Sequence, residues 1–221
     1  MEQKNVITIQ GVIGMAEPFT AGETKAVRLS IAVDRTYTAK DGSKVKEVIW
    51  HSCTIFGRAG FPSVDELTVG KMINITGRQR CRRFSREDGS EGYAWEIVPK
   101  TVTLDIPEDK KNVQFCVVRL AGRVGSVRLT QVGDKTQALV SVATDFCYKD
   151  RSSQELVVET VWHQVAIWSN KGVKDLSLIQ KGMPIEIEGR VRQYKYTAAN
   201  GTERSVHEVL AINWDEIKEA A

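Results

Sequence analysis

The chain has 221 residues, of which 42% are hydrophobic and 27% are charged, so it is long enough for one large globular domain or two smaller ones. This composition excludes a disordered chain and a fibrous repeat, and the net charge of +3 is too small to indicate a polyanionic partner by itself. No segment approaches the roughly 18 to 20 consecutive apolar residues of a membrane span, or the apolar core of a signal peptide, so we predict a cytoplasmic protein with no membrane association. The four cysteines form no CxxC or Cys/His cluster, and we expect no metal and no cofactor.

The first half of the chain contains alternating patterns that predict β-strands. Over residues 27–33, apolar side chains occupy every second position, which is the period of a half-buried strand. Residues 48–56 alternate in the same way, and the parity expected to face the core consists of Ile49, His51, Cys53 and Ile55. The dipeptides Asp41-Gly42 and Asp88-Gly89 are typical hairpin turns. Residues 61–69 form the one helix candidate of this half.

The other parity of residues 48–56 carries two large rings, Trp50 and Phe56, among polar side chains. A later strand-like run places cationic and aromatic groups on one parity, namely Arg78, Arg80, Arg82 and Phe84. A surface that binds single-stranded nucleic acid needs this combination, because guanidinium groups contact phosphates and flat rings stack on unpaired bases. A single run of this kind is also compatible with a solvated face, so the interpretation needs a second observation.

That second observation is an internal repeat. Residues 48–56 recur as residues 160–168, an offset of 112, whereas upstream positions recur at an offset of 111, so one residue was gained in a loop. We therefore assign a first domain to residues 1–107, a polar linker to 108–111 and a second domain to 112–221. A period this long, present twice, indicates tandem globular domains rather than a solenoid.

Each copy contains five predicted strands with one short helix between the third and the fourth. In the second copy the helix candidate is 171–179, and Asn200-Gly201 marks the last turn. This order is typical of the OB-fold, a small five-stranded Greek-key barrel, although the pattern alone also allows another small barrel. We predict an all-β protein made of two tandem OB-fold barrels.

The second copy keeps the aromatic positions while the identity of the ring changes, as from Phe56 to Trp168 and from Phe84 to Tyr196. The predicted face of the second copy consists of Trp162, Trp168, Arg190, Arg192, Tyr194 and Tyr196. Drift that preserves aromaticity favours a generic stacking surface, although a shared structural role would also preserve a ring.

At these residues the sequence resembles the bacterial single-stranded DNA-binding protein family. The resemblance spans nearly both copies and is carried by the run from Trp50-His51 to Phe56-Gly57, by Gly70-Lys71 and Gly77-Arg78, and by the Arg-x-Arg-Arg-Phe motif. It implies OB-folds in which bases stack on four aromatic positions per copy, matched here by Tyr37, Trp50, Phe56 and Phe84, and by Tyr148, Trp162, Trp168 and Tyr196. Family members usually present four OB domains, so the resemblance also implies that two chains pair as a homodimer.

The end of the chain departs from the family pattern. Replicative members end in a flexible tail with a short acidic tip that recruits replication and repair enzymes, whereas residues 214–221 resemble no such tail. We therefore expect no recruitment of other proteins through an acidic C-terminal tip. A specialised paralogue, of which a mobile element or phage is one source, fits better than the housekeeping protein.

The motifs of the common enzyme classes are absent from the sequence, which holds no GxSxG, phosphate-binding glycine loop or HExxH, so we predict no enzymatic activity. The predicted function is sequence-tolerant binding of single-stranded DNA in replication, recombination or repair, through base stacking and arginine–phosphate contacts. Two alternatives stay open. One is an OB-fold protein-interaction module that has lost nucleic-acid binding, and the other is an RNA-binding chaperone.

Overall fold

The structure is a computed structural model, and it describes residues 2–39, 41–85, 89, 91–150, 152–170, 172–197, 201 and 203–218. The chain divides into two compact units, which we describe separately. The first unit is Val6–Cys116, and the second is Val117–Ala221 together with Met1–Asn5. The domain limits inferred from the repeat stay a prediction.

Each unit is a five-stranded barrel. The first half of the chain holds β1 (Lys4–Ala21), β2 (Thr24–Thr38), β3 (Lys44–Phe56), β4 (Met72–Ser85) and β5 (Glu91–Thr103). The second half holds β6 (Phe115–Val132), β7 (Lys135–Lys149), β8 (Leu156–Trp168), β9 (Pro184–Thr197) and β10 (Glu203–Glu216). In the first unit β1 pairs with β2 and β4, β2 pairs with β3, and β5 lies between β3 and β4. The second unit has the same pairings. This order confirms the prediction of two tandem OB-fold barrels.

The predicted helices are shorter than the sequence suggested. Within each candidate segment the structure has one 3-10 turn, Val64–Glu66 in the first unit and Leu176–Leu178 in the second. Side chains three residues apart eclipse in a 3-10 turn, so a single turn is enough to bury Val64 with Leu67. In the part of the chain that is described, no helix has the length and hydrophobicity needed to cross a bilayer. Asp88 and Asn200 of the predicted turns, and Lys171 of the second helix candidate, lie outside the described residues.

The core lies where the alternation in β3 predicted it. Ile49, His51, Cys53 and Ile55 are all buried, whereas Trp50 and Phe56, which have the opposite parity, are exposed. Their partners on β2 follow the same rule, because Leu29 pairs with Cys53 and Ile31 pairs with His51. The second unit repeats this arrangement, with His163 buried on β8.

Repeated glycines allow neighbouring strands to approach closely. A Cβ atom at Gly77 on β4 would lie within 3.0 Å of the carbonyl oxygen of Val98 on β5, and Gly189 stands in the same relation to Leu210 in the second unit. Both obstacles are backbone atoms, which cannot rotate away as a side chain can. The strands approach too closely at these positions for a side chain. This explains why both copies of the repeat have glycine there.

We expect Gly77→Ala to lower the free energy of unfolding by about 1–3 kcal/mol, because β4 and β5 must separate to admit the methyl group. Urea denaturation followed by tryptophan emission measures the change. Ser52→Ala, at an exposed position of β3, is the control and should leave the midpoint unchanged within about 0.5 kcal/mol. Equal midpoints for Gly77→Ala and the control would show that the strands accommodate a side chain.

Candidate nucleic-acid interface

The predicted site residues on β3 and β4 share the side of the first barrel that faces away from the core. Trp50 and Phe56 are about half exposed, at 49% and 46%. Arg80 and Glu96 are directly paired across β4 and β5, and both line a pocket with Phe56, which places the three strands on one surface. We call this surface the outer face; its predicted members in the first unit are Trp50, Phe56, Arg78, Arg80, Arg82 and Phe84.

The indole of Trp50 rests on a glycine in a β-bulge. Gly14 lies at the register shift between β1 and β2, and a Cβ atom there would be within 3.0 Å of the Trp50 ring. Gly125 stands at the corresponding bulge between β6 and β7, in the same relation to Trp162. Each ring is therefore supported from below by backbone while remaining about half exposed. A supported ring loses little conformational freedom when a base stacks on it.

Phe56 belongs to a cluster whose other members, Phe19 and Arg28, were not predicted from the sequence. The ring of Phe19 on β1 meets it edge to face, with centroids 6.2 Å apart, because both residues flank Ala26 in the sheet. The guanidinium of Arg28 lies 4.5 Å from the centroid of Phe19. The sequence of β2 does indicate that Arg28 faces outward, because the alternation that turns Val27 inward turns Arg28 to the opposite side.

Three further predicted rings lie on β4 and β9. Phe84 covers Gly92 of β5, where a Cβ atom would clash with its ring, and 45% of Phe84 is exposed. In the second unit Tyr194 and Tyr196 are exposed, and the guanidinium of Arg192 lies 5.0 Å from the centroid of Tyr194. Burial and the nearby Glu208 raise the pKa of the Tyr194 hydroxyl, so this ring stays neutral at physiological pH.

Three of the predicted phosphate-binding arginines are already ion-paired. Nε of Arg80 and Nε of Arg82 both donate to Oε1 of Glu96, at 2.7 Å and 2.8 Å. In the second unit Nε of Arg192 donates to Oε1 of Glu208 at 2.7 Å. Both carboxylates are buried, and they are equivalent positions of the repeat. Neither glutamate is among the residues predicted from the sequence, although the two are linked by the offset of 112 that relates the copies.

Tyr37 and Tyr148 do not lie on the outer face. Tyr37 pairs in register with Val45 and has the parity of the core residues of β2, opposite to that of Trp50. It is 38% exposed because the β2–β3 hairpin extends past the packed core. Tyr148 has the corresponding place on the β7–β8 hairpin, paired with Val157. The structure therefore places the rings of β3 and Phe84 of β4 on the outer face, but it leaves these two tyrosines on the reverse side of each hairpin.

The two hairpins differ in chemistry. Residues 34–48 carry a net charge of +1, whereas the equivalent residues 145–160 carry −2. Exposed Lys44 and Lys46 of the first hairpin are replaced by exposed Leu156 and Val158 in the second. The first hairpin is therefore the more attractive of the two to a polyanion.

A pocket of about 210 Å³ opens on the outer face of the first unit. Its walls include Thr54, Phe56, Arg58, Phe61, Arg80 and Glu96. The guanidinium of Arg58 lies over the ring of Phe61, 3.8 Å from its centroid. In the second unit Trp168 replaces Phe56 and is only partly exposed, and Ala166, which replaces Thr54, is fully buried. The two outer faces therefore share their aromatic positions but differ in how far the residues at positions 54/166 and 56/168 are exposed.

The two buried histidines and Cys53, which face the core from β3 and β8, are held neutral. Burial lowers the pKa of His51 and of His163 to about 4, so both imidazoles are uncharged at physiological pH. Nε2 of His163 lies 2.9 Å from Oγ1 of Thr144, whereas the first unit has Val33 at the corresponding position. Burial, with a contribution from Glu96, raises the pKa of Cys53 to about 12, which keeps the thiol protonated and unreactive.

Barrel topology and surface chemistry together define a tandem OB-fold protein with exposed rings and cations on the outer face of each unit. A model of the single-strand binding protein family matches residues 5–105 and 115–216, so the chain belongs to that family. The matched segments fall one in each half of the repeat, which confirms the resemblance seen in the sequence.

Individual relatives agree with this assignment. The chain is 34% identical over 136 residues to the single-stranded DNA-binding protein of Xylella fastidiosa, a match that covers 62% of this chain and 74% of the relative. It is 31% identical over 69 residues to the protein of that name from Neisseria meningitidis, covering 31% of this chain and 40% of the relative. The wild-type single-stranded DNA binding protein of Thermus aquaticus has a similar fold, with a TM-score of 0.72 at 16% identity, covering 100% of this chain and 96% of that one.

Proposed function

We propose that this protein binds single-stranded DNA without strong sequence preference, and that it protects or presents the strand during replication, recombination or repair. The observation that carries the proposal is the pair of supported indoles, Trp50 over Gly14 and Trp162 over Gly125. Every base has a flat face that can stack on such a ring, so this mode of binding tolerates any sequence. The proposed function is binding alone, with no catalytic step.

Within this proposal the rings and the cations have separate roles. Stacking is assigned to Trp50, Phe56, Phe84, Trp162, Trp168, Tyr194 and Tyr196, and phosphate contact to Arg78, Arg80, Arg82, Arg190 and Arg192. Phe19 and Arg28 extend the first outer face beyond the residues that the sequence indicated. Tyr37 and Tyr148 would contact the same strand only where it passes around the tip of a hairpin. Because the first hairpin is basic, we expect the first unit to contribute more than the second unit to the electrostatic attraction of the DNA strand.

Titration with oligo(dT) tests the proposal directly. Stacking on Trp50 and Trp162 should change tryptophan emission, and the affinity should fall with salt, with a slope of about −0.7 in log–log form for each phosphate contact. Oligo(rU) of equal length, used as a competitor, tests the preference for DNA over RNA. Unchanged emission together with the absence of a complex in native electrophoresis would reject the function.

We also propose that two chains pair in the cytoplasm to present four OB domains, as the family resemblance implies. Sedimentation velocity should then give a mass of about twice 24.7 kDa. A monomer at micromolar concentration would contradict the pairing without affecting the binding proposal, because each unit carries its own outer face.

A further inference from the structure

Each outer face contains a carboxylate at its centre, which is unexpected for a surface that binds a polyanion. The side chain of Glu96 is 8% exposed and lies between the two arginines of β4 that the sequence assigned to phosphates. Arg82 donates through Nε at 2.8 Å and reaches the second carboxylate oxygen, Oε2, at 3.4 Å. One buried carboxylate thus neutralises part of the charge of two arginines, whose side chains are 36% and 61% exposed.

The second unit also has a buried glutamate that is ion-paired with an arginine, but among the described residues it has one arginine partner in place of two. Glu208 on β10 is fully buried and accepts from Arg192, while the position of Arg82 is taken by Tyr194. Burying a carboxylate is costly, and a hydrophobic residue at the same place would stabilise the barrel at least as well as an ion pair. Stability alone therefore does not account for a glutamate at both positions.

We infer that Glu96 and Glu208 limit the affinity of the outer faces for single-stranded DNA by competing with phosphates for the arginines. The inference rests on the proposed function and concerns the regulation of the same site. A phosphate that approaches Arg80 must share or replace a hydrogen bond that Glu96 already accepts. An arginine whose charge is already neutralised by a glutamate also neutralises less phosphate charge, so fewer of the cations condensed on the strand are released on binding. A strand bound in this way can be displaced more readily.

Glu96→Gln keeps the size and shape of the side chain while removing the charge. If the carboxylate limits the affinity, this variant gains about one effective phosphate contact, and the salt slope becomes more negative by about 0.7. Over the tenfold range from 1 M to 0.1 M salt, this difference of about 0.7 in slope corresponds to about fivefold tighter binding of oligo(dT) by the variant than by the wild type at the low-salt end. The two proteins should bind equally near 1 M salt, where the electrostatic contribution is screened.

Glu91→Gln is the matched control, since it changes the net charge equally and lies on the same strand. Glu91 pairs with Arg83, whose parity is opposite to that of Arg82, so it lies off the outer face. Fluorescence anisotropy with labelled oligo(dT) at four salt concentrations should show tighter binding for Glu96→Gln and no change for Glu91→Gln. If Glu96→Gln fails to fold, as judged by circular dichroism, Glu208→Gln carries the same prediction in the second unit.

Three results would overturn the inference. Weaker binding by Glu96→Gln would mean that the carboxylate holds the arginines in position for phosphates. Equal affinity and slope would mean that Glu96 has only a structural role, and equal tightening by Glu91→Gln would reduce the effect to net charge. Failure of the wild-type protein to bind oligo(dT) at low salt would instead reject the proposed function itself.

Discussion

Replacing Trp50 and Trp162 together by alanine should weaken the binding of oligo(dT) by roughly 30-fold to more than 10⁴-fold. Loss of one stacking ring costs about 1–3 kcal/mol per base, and the two indoles are the supported rings of the two outer faces. Both side chains are about half exposed and point away from the core, so the barrels should keep their fold. The expected loss therefore falls on affinity and not on stability.

Anisotropy of a labelled oligonucleotide is the suitable measurement, because the variant lacks two of the three tryptophans assigned to stacking and its emission would no longer compare directly with that of the wild type. Tyr93→Ala is the matched control: Tyr93 is 65% exposed, but it pairs with Arg83 on the side of the sheet opposite to the outer face. This control should bind as tightly as the wild type. Wild-type affinity in the double variant, with an unchanged melting temperature, would show that the indoles do not stack on bases.

The repeat made the location of the two aromatic faces predictable. Strand parity is strict, so once His51 and Cys53 are placed inside, Trp50 has to point outward. The same argument applied to β8 placed Trp162 outside. Neither conclusion needed any knowledge of which strands are neighbours.

The ion pairs of Glu96 could not be predicted in this way. They depend on the register between β4 and β5, which places Arg80 opposite Glu96. Sequence alternation fixes the side of a strand on which a residue lies, and Asp88-Gly89 predicts a turn between β4 and β5, but neither fixes the length of the loop and therefore the register of the two strands. β5 itself shows no clean alternation, since Glu96 and Ile97 are consecutive and both buried.

The side of the hairpin on which Tyr37 lies was not predicted, for a different reason. The family resemblance groups it with Trp50 by role, yet parity alone assigns the two residues to opposite sides of the β2–β3 hairpin. A role shared among relatives carries no information about which side of a strand a ring occupies.

The predicted helices turned out shorter for a separate reason. Two buried side chains such as Val64 and Leu67 need only one 3-10 turn.

The buried histidines should make the protein sensitive to mild acid. We expect the free energy of unfolding to fall by up to about 3 kcal/mol for each of His51 and His163 as the pH is lowered from 7 to 4. Burial lowers the pKa of both from 6.5 to about 4 in the folded state, while in the unfolded chain they titrate near 6.5. Between these values the unfolded state binds more protons, so stability is complete above pH 6.5 and is lost as the pH falls through 4.

Urea denaturation at intervals from pH 7.5 to 4 measures this loss. The double variant His51→Gln, His163→Gln should flatten the dependence across that window, because an amide does not titrate there. The carboxyls with lowered pKa, such as Asp150 at about 2, act only below the histidine window, because an unfolded aspartate is still ionised above about pH 4. An unchanged slope in the double variant would therefore assign the acid sensitivity to groups other than the two core imidazoles.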